Sequence, residues 1–161
     1  MKKFAVFAVL LLVSACGIKP TPVVPAGPAP TLRSPASNGR GTDLILYFVL
    51  GDRVAPVARL SDGVVGVESA LTRLLDGPST DERADGYTTA LPRGSGAITS
   101  TPGSPPTINV PFPLRPLAGV GINQLVCTAI ATLATQGGYA TDGTVGLAGP
   151  DIRLPYQTCQ A

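Results

Sequence analysis

The chain has 161 residues and a mass of 16.3 kDa, of which 36 are Gly or Pro and only 14% are charged. There is no His, and the three Lys stand at positions 2, 3 and 19, so residues 20–161 hold neither base. That excludes a Ser-His-Asp triad, a Cys-His pair, a Ser-Lys dyad, a Schiff-base lysine and any His-ligated metal, each of which needs a nitrogen ligand or base.

The N-terminus combines Lys2 and Lys3 with an apolar run from Phe4 to Val13. Ten residues are too few to cross a hydrocarbon core of ~30 Å as a helix. The run suits a signal peptide, followed by the small residues Ser14 and Ala15 that a cleavage site requires. Cys16 follows directly, and Val13-Ser14-Ala15-Cys16 resembles a bacterial lipobox. The resemblance implies a signal peptide over residues 1–15, cleavage before Cys16, and acyl chains on Cys16 that attach the protein to the membrane. Two or more chains anchor stably where one is marginal. Cleavage would remove Lys2 and Lys3 and leave ten positive charges, Lys19 and nine Arg, against ten acids. A neutral chain with scattered arginines has no electrostatic footprint for nucleic acid and no polybasic patch for anionic lipid.

Residues 16–40 form the expected tether: six Pro fall between positions 20 and 35. Proline fixes φ and restrains its predecessor, so the segment should be extended and semi-rigid. Residues 41–161 are expected to fold.

Leu44 to Leu50 is a continuous apolar run closed by Gly51-Asp52, and predicts a central strand buried on both faces. Pro56 marks Val54–Leu60 as an edge strand or extended loop, and Ser61-Asp62-Gly63 as a turn follows. Val67, Ala70, Leu71, Leu74 and Leu75 have the spacing of one helix face, ended by Gly77-Pro78. Asp81, Glu82 and Asp85 read as a solvated turn with capping acids, without calcium-loop spacing. Tyr87–Leu91 predicts a short strand, with weaker strands at Ala97–Ser100 and Thr107–Phe112. Ile122, Leu125, Val126, Ala129, Ile130 and Leu133 predict a second helix stopped by Gly137-Gly138, and Thr144–Leu147 a last strand before a C-terminal tail. Thr72 and Thr128 fall on the exposed sides of the two helices. Gly119-Val120-Gly121 reads as a helix start, because position 124 is Gln and G-x-G-x-x-G fails. The aromatic residues are dispersed and form no stacking stripe.

These elements predict an α+β fold: a two-layer sandwich in the order β-α-β-β-α-β, with both helices on one face of a mixed or antiparallel sheet. With Cys16 lipidated, the even pair Cys127 and Cys159 predicts a disulfide in an exported protein, tying the second helix to the tail. For a loop of roughly 33 residues the chain-entropy model assigns it ~3.5–4 kcal/mol. The pair lacks C-x-x-C spacing, which argues against a redox role.

Leu46-Tyr47-Phe48-Val49 followed by Gly51-Asp52-Arg53 resembles the opening of the GerMN domain, as do Ala70–Pro78, Glu82-Arg83 and Thr89-Ala90-Leu91-Pro92. The resemblance covers about residues 44–135, and gives way at the Pro-rich Ser100–Pro116. It implies a non-catalytic interaction or assembly module of the cell envelope, as a scaffold or an accessory to a membrane sensor, with an envelope protein or a second copy as partner. The Arg, Ala, Gly and Pro bias fits a high-GC bacterium. With the resemblance it implies a Gram-positive cell and the outer face of the plasma membrane. The alternative function is a lipoprotein that binds a small ligand or cell-wall glycan. No cofactor, metal or catalytic residue is assigned.

Overall fold

The computed structural model describes residues 42–93, 96–136 and 143–161. The expected signal peptide, Cys16, the Pro-rich tether and the Gly137-Gly138 stop lie outside these residues.

β1 (Thr42–Leu50) and β2 (Arg53–Ser61) form an antiparallel hairpin in continuous register from Thr42↔Ser61 to Leu50↔Arg53. Two residues connect them, and Gly51 adopts φ +67°, the left-handed conformation that a tight hairpin demands of its first central residue. β2 is thus a full strand despite Pro56. Tyr47, opposite Pro56, sends its own N–H and C=O away from β2, toward α3 (Gly119–Thr135). In an antiparallel pair both partners then point outward, so Pro56 sits where its missing N–H would have faced the open edge of the sheet. β3 (Tyr87–Thr88) pairs with only the last two residues of β1, completing a three-stranded sheet in the order β2-β1-β3.

The expectation of a single sheet is corrected by a second one. β4 (Thr99–Thr101), β5 (Thr107–Asn109), β6 (Thr144–Ala148) and β7 (Arg153–Thr158) form it in the order β4-β5-β6-β7. β5 and β6 run parallel, joined through α3 in the long crossover that parallel neighbours need; the other pairs are antiparallel. The α+β class stands, and the observed order is richer than expected by β2, a short helix, a third strand between the two long helices, and β7.

α1 (Val67–Leu75) buries its predicted stripe of Val67, Ala70, Leu71, Leu74 and Leu75. Gly77 follows at φ +83°, a common helix-terminating conformation. The short helix α2 (Thr80–Ala84) lies where a solvated turn was expected. It starts with a capping box: the Ser79 hydroxyl accepts from Glu82 N, and the Glu82 carboxylate accepts from Ser79 N.

α1 and α3 pack on each other and on β1, and α3 also touches β6 and β7. One core joins Leu44, Leu46 and Phe48 of the first sheet, Ile108, Val145 and Leu147 of the second, and both helices. β1 is therefore not buried on both faces throughout: Leu44, Leu46 and Phe48 are buried, while Ile45 and Tyr47 on the other face are half-buried.

The burial of α3 is rotated from the predicted stripe. Leu125, Val126 and Ala129 are buried as expected, but Ile122, Ile130 and Leu133 are only partly so. Gly121, Gln124, Thr128 and Thr132 take buried places instead. Thr128, expected on the exposed side, is fully enclosed. Its hydroxyl accepts from Tyr47 N at 3.0 Å, and the Gln124 amide, one turn earlier, donates to Tyr47 O at 3.1 Å. The Gln124 Oε1 also accepts from Ala90 N at 2.8 Å. β3 stops short of Tyr47, so a strand's partner is replaced there by two side chains at i and i+4 of a helix. Gly121 permits the approach, because a Cβ there would lie 3.3 Å from Ala90 O. A second join links α1 to the outer strand of the other sheet, where Glu68 Oε1 accepts from Ser100 N at 2.8 Å.

Candidate functional site

Cys127 and Cys159 form a disulfide. It fastens α3 to the segment just past β7, as the sequence predicted. β7 occupies most of what the sequence left as a tail.

The acids singled out in sequence divide. Among the described side chains Asp81 and Asp85 make no hydrogen bond or ion pair. Glu82 is the acceptor of a clamp: Arg59 donates through Nε to Oε1 at 2.9 Å and through Nη2 to Oε2 at 2.6 Å. Arg59 also donates to Gly77 O at 3.1 Å, and its guanidinium lies 5.2 Å from the centre of the Phe48 ring. The clamp therefore ties β2 to both ends of the α1–α2 junction. The hydrogen bonds from Arg59 hold the Glu82 carboxyl below its ordinary range; partial burial opposes this, and the Ser79 N–H adds to it. A depressed folded pKa means stability that is fully present above the unfolded value and lost as pH falls through the folded one. Glu82→Gln should therefore cost about 1 kcal/mol at neutral pH. The gap to the native chain should close as pH drops through the acid range. Denaturant midpoints for both proteins, measured from pH 7 to pH 3, check this; a constant gap would sink it.

Asp151 pins another loop. Its carboxylate accepts from Leu114 N and Arg115 N, each at 2.8 Å. Desolvation raises its pKa, but these N–H donors win and the net direction is downward.

Two of the clefts among the described residues could take a ligand. One, of about 370 Å3, is lined by Arg83, Arg93, Tyr87 and Asp76. Arg83 is already committed to Pro78 O and Thr80 Oγ1. The other, also about 370 Å3, lies between the first turns of α3 and β7. Its lining of Gly119, Ile122, Asn123, Leu154, Tyr156, Gln157, Thr158 and Gln160 contains no charged side chain. Gly119 is the first residue of α3; the helix has no side-chain cap, and it starts where sequence placed it.

The outward face of the β1–β2 hairpin is a third feature. The register puts Ile45, Tyr47, Val49, Val54, Pro56, Ala58 and Leu60 on one side, opposite Leu44, Leu46 and Phe48. Pro56, Ala58 and Leu60 are exposed, Leu60 by 62%, and Val64 just beyond by 70%. Among the described residues no group of three or more His, Cys, Asp or Glu is placed to hold a metal.

Sequence reasoning gave no role to Arg59, Gln124 or Tyr156, and it placed Thr128 on the exposed side of its helix. Arg59 carried no local signal, since its partner lies 23 residues away. Tyr156 follows a Pro in what read as a tail. A scan against family models and searches of curated proteins and of solved structures give no match to this chain.

Proposed function

We propose that this chain is a lipid-anchored lipoprotein of the bacterial cell envelope whose folded domain is a non-catalytic protein-interaction module. Acyl chains on Cys16 hold it to the outer face of the plasma membrane, and residues 17–40 space the domain from the lipid. The observation that carries the interaction role is the outward face of the β1–β2 hairpin. The seven positions that alternate onto this face are apolar or aromatic; Val49 and Val54 are buried, but Pro56, Ala58 and Leu60 are exposed, with Val64 beyond them, and an exposed apolar surface of this kind marks a contact site more often than an idle one. The disulfide supports the compartment, because such pairs persist where the environment is oxidising. The lipobox-like Val13–Cys16 supports the anchor. The resemblance of the β1 and α1 blocks to the GerMN domain supports an assembly or accessory role over catalysis, as does the lack of Lys and His in residues 20–161.

The test is a photo-crosslinking residue placed at Ala58 in cells, with Thr72 on the exposed side of α1 as the control. A discrete adduct in the membrane fraction is expected from position 58 and not from position 72. An adduct of twice the chain's mass would identify the partner as a second copy. Cys16→Ala should release the protein from the membrane fraction and abolish fatty-acid labelling. Equal, diffuse crosslinking from both positions would sink the interaction reading; retained fatty-acid label would sink the anchor.

A further inference from the structure

We propose that the cleft between α3 and β7 is a binding site for a neutral sugar ring, with Tyr156 as its stacking platform. The site is separate from the hairpin face and does not depend on the lipid anchor. Three observations carry it.

The first is the backbone of Tyr156. It is the one non-glycine residue with positive φ among those described, at +54°. An aromatic side chain rarely occupies the left-handed region, and the strain persists only where the surroundings impose it. A β-bulge imposes it: Pro155 and Tyr156 together stand opposite Gly146 where the β6–β7 register shifts, and such a bulge re-aims a side chain, here one that is 68% exposed. The conformation holds a large ring out over the cleft.

The second is the chemistry of the lining. Asn123, Gln157, Thr158 and Gln160 supply amides and a hydroxyl, and there is no charge. Each primary amide offers both donors and acceptors. Gln157 spends one donor on Pro155 O, which orients the group and leaves its carbonyl oxygen available. Leu154 adds an apolar patch. A sugar ring is amphipathic in the same way: its C–H face stacks on an aromatic ring, while its hydroxyls each donate and accept. A carboxylate or phosphate would ask for a cation, and none lines the cleft. An alkyl ligand would leave the amides unpaired, which is costly once water is displaced. The volume of about 370 Å3 lies at the small end of the usual ~300–1,000 Å3 range of ligand clefts, suited to one ring or two.

The third is the covalent frame. The Cys127–Cys159 bond joins α3 to the end of β7, with Cα atoms 4.6 Å apart. Asn123 stands one helical turn before Cys127, and Thr158 and Gln160 flank Cys159. The bond therefore holds the two walls of the cleft at a fixed separation, and a site formed before its ligand arrives wastes less affinity on ordering.

The probes are methyl glucoside and N-acetylglucosamine, titrated into the purified full-length protein and followed by NMR on the Asn and Gln side-chain amides and the tyrosine rings. Affinity is expected in the range of ~1 mM, typical of a single small contact set. At least one sugar should shift the signals of Asn123, Gln157 and Tyr156 together. Tyr156→Ala should weaken binding about tenfold or more, Tyr156→Phe should retain it, and Asn123→Ala should weaken it with Tyr156 intact. Arg83→Ala, in the other cleft, should leave it unchanged. The proposal is overturned if neither sugar shifts the cleft signals, if Tyr156→Ala binds as the native chain does, or if inorganic phosphate produces the same shifts in place of sugar.

Discussion

Leu125→Ala should destabilise the domain by ~2–5 kcal/mol, and Leu74→Ala by a similar amount. Both side chains are fully enclosed. Truncation removes the transfer energy of the lost atoms and leaves a cavity that a close-packed interior fills only in part. The two positions belong to different helices but one cluster, together with Leu46, Phe48 and Leu147. Each loss is therefore felt by both sheets, and for a domain with ~5–15 kcal/mol in total it is a large fraction. Thr72→Ala is the control, because Thr72 is exposed and its hydroxyl donates only to Glu68 O in its own helix; it should shift the midpoint by less than about 0.5 kcal/mol. Denaturant midpoints of the three variants decide the matter. Leucine variants that shift the midpoint no more than Thr72→Ala does would mean that the helices do not share a core.

The sequence spoke clearly where apolar residues recur on one period. α1 is the clean example: its five apolar positions are its five buried positions. β1 was legible as a strand, but not its two unlike faces. Both faces are apolar in composition, so no alternation could show that only Leu44, Leu46 and Phe48 meet the helices. Pro56 misled in the opposite direction. It does lie in an edge strand, yet the strand is complete, because a proline whose ring replaces an outward N–H breaks no hydrogen bond in the ladder. The capping box at Ser79–Glu82 was written in the sequence as S-x-x-E, and only the absence of an apolar run after it made it read as a turn.

The second sheet was the least legible part. β4 and β5 have three residues each, and β6 finds its neighbours through a parallel crossover. Short strands carry too few alternations to read, and their pairing is a property of the whole chain. β7 contains Pro155 and a strained Tyr156, both of which argue against a strand in isolation. The candidate cleft inherits this difficulty. Asn123 and Gln157 are ordinary polar residues in sequence, and they come together because a disulfide and a helix start meet at one end of β7.

α3 shows how a correct helix can conceal its most consequential residue, and Gln124→Met is the variant that exposes it. Methionine keeps the length and most of the volume of the glutamine while removing its amide. In the native fold Gln124 is fully buried; it donates to Tyr47 O and accepts from Ala90 N. After the exchange both backbone groups would face an apolar thioether in place of their hydrogen-bond partner. An orphaned buried donor or acceptor costs about 1–3 kcal/mol, so the loss should reach roughly 2–5 kcal/mol for the pair. A simple cavity argument assigns almost nothing to this exchange, since the volume is nearly conserved. The two accounts are therefore separable by one denaturation curve. Hydrogen exchange adds the location: the Ala90 amide should lose its protection in the variant, while amides in the middle of the β1–β2 ladder keep theirs relative to global unfolding. A midpoint within about 0.5 kcal/mol of the native protein would mean that the segment after β3 is held to β1 by packing alone, with the amide of Gln124 incidental to it.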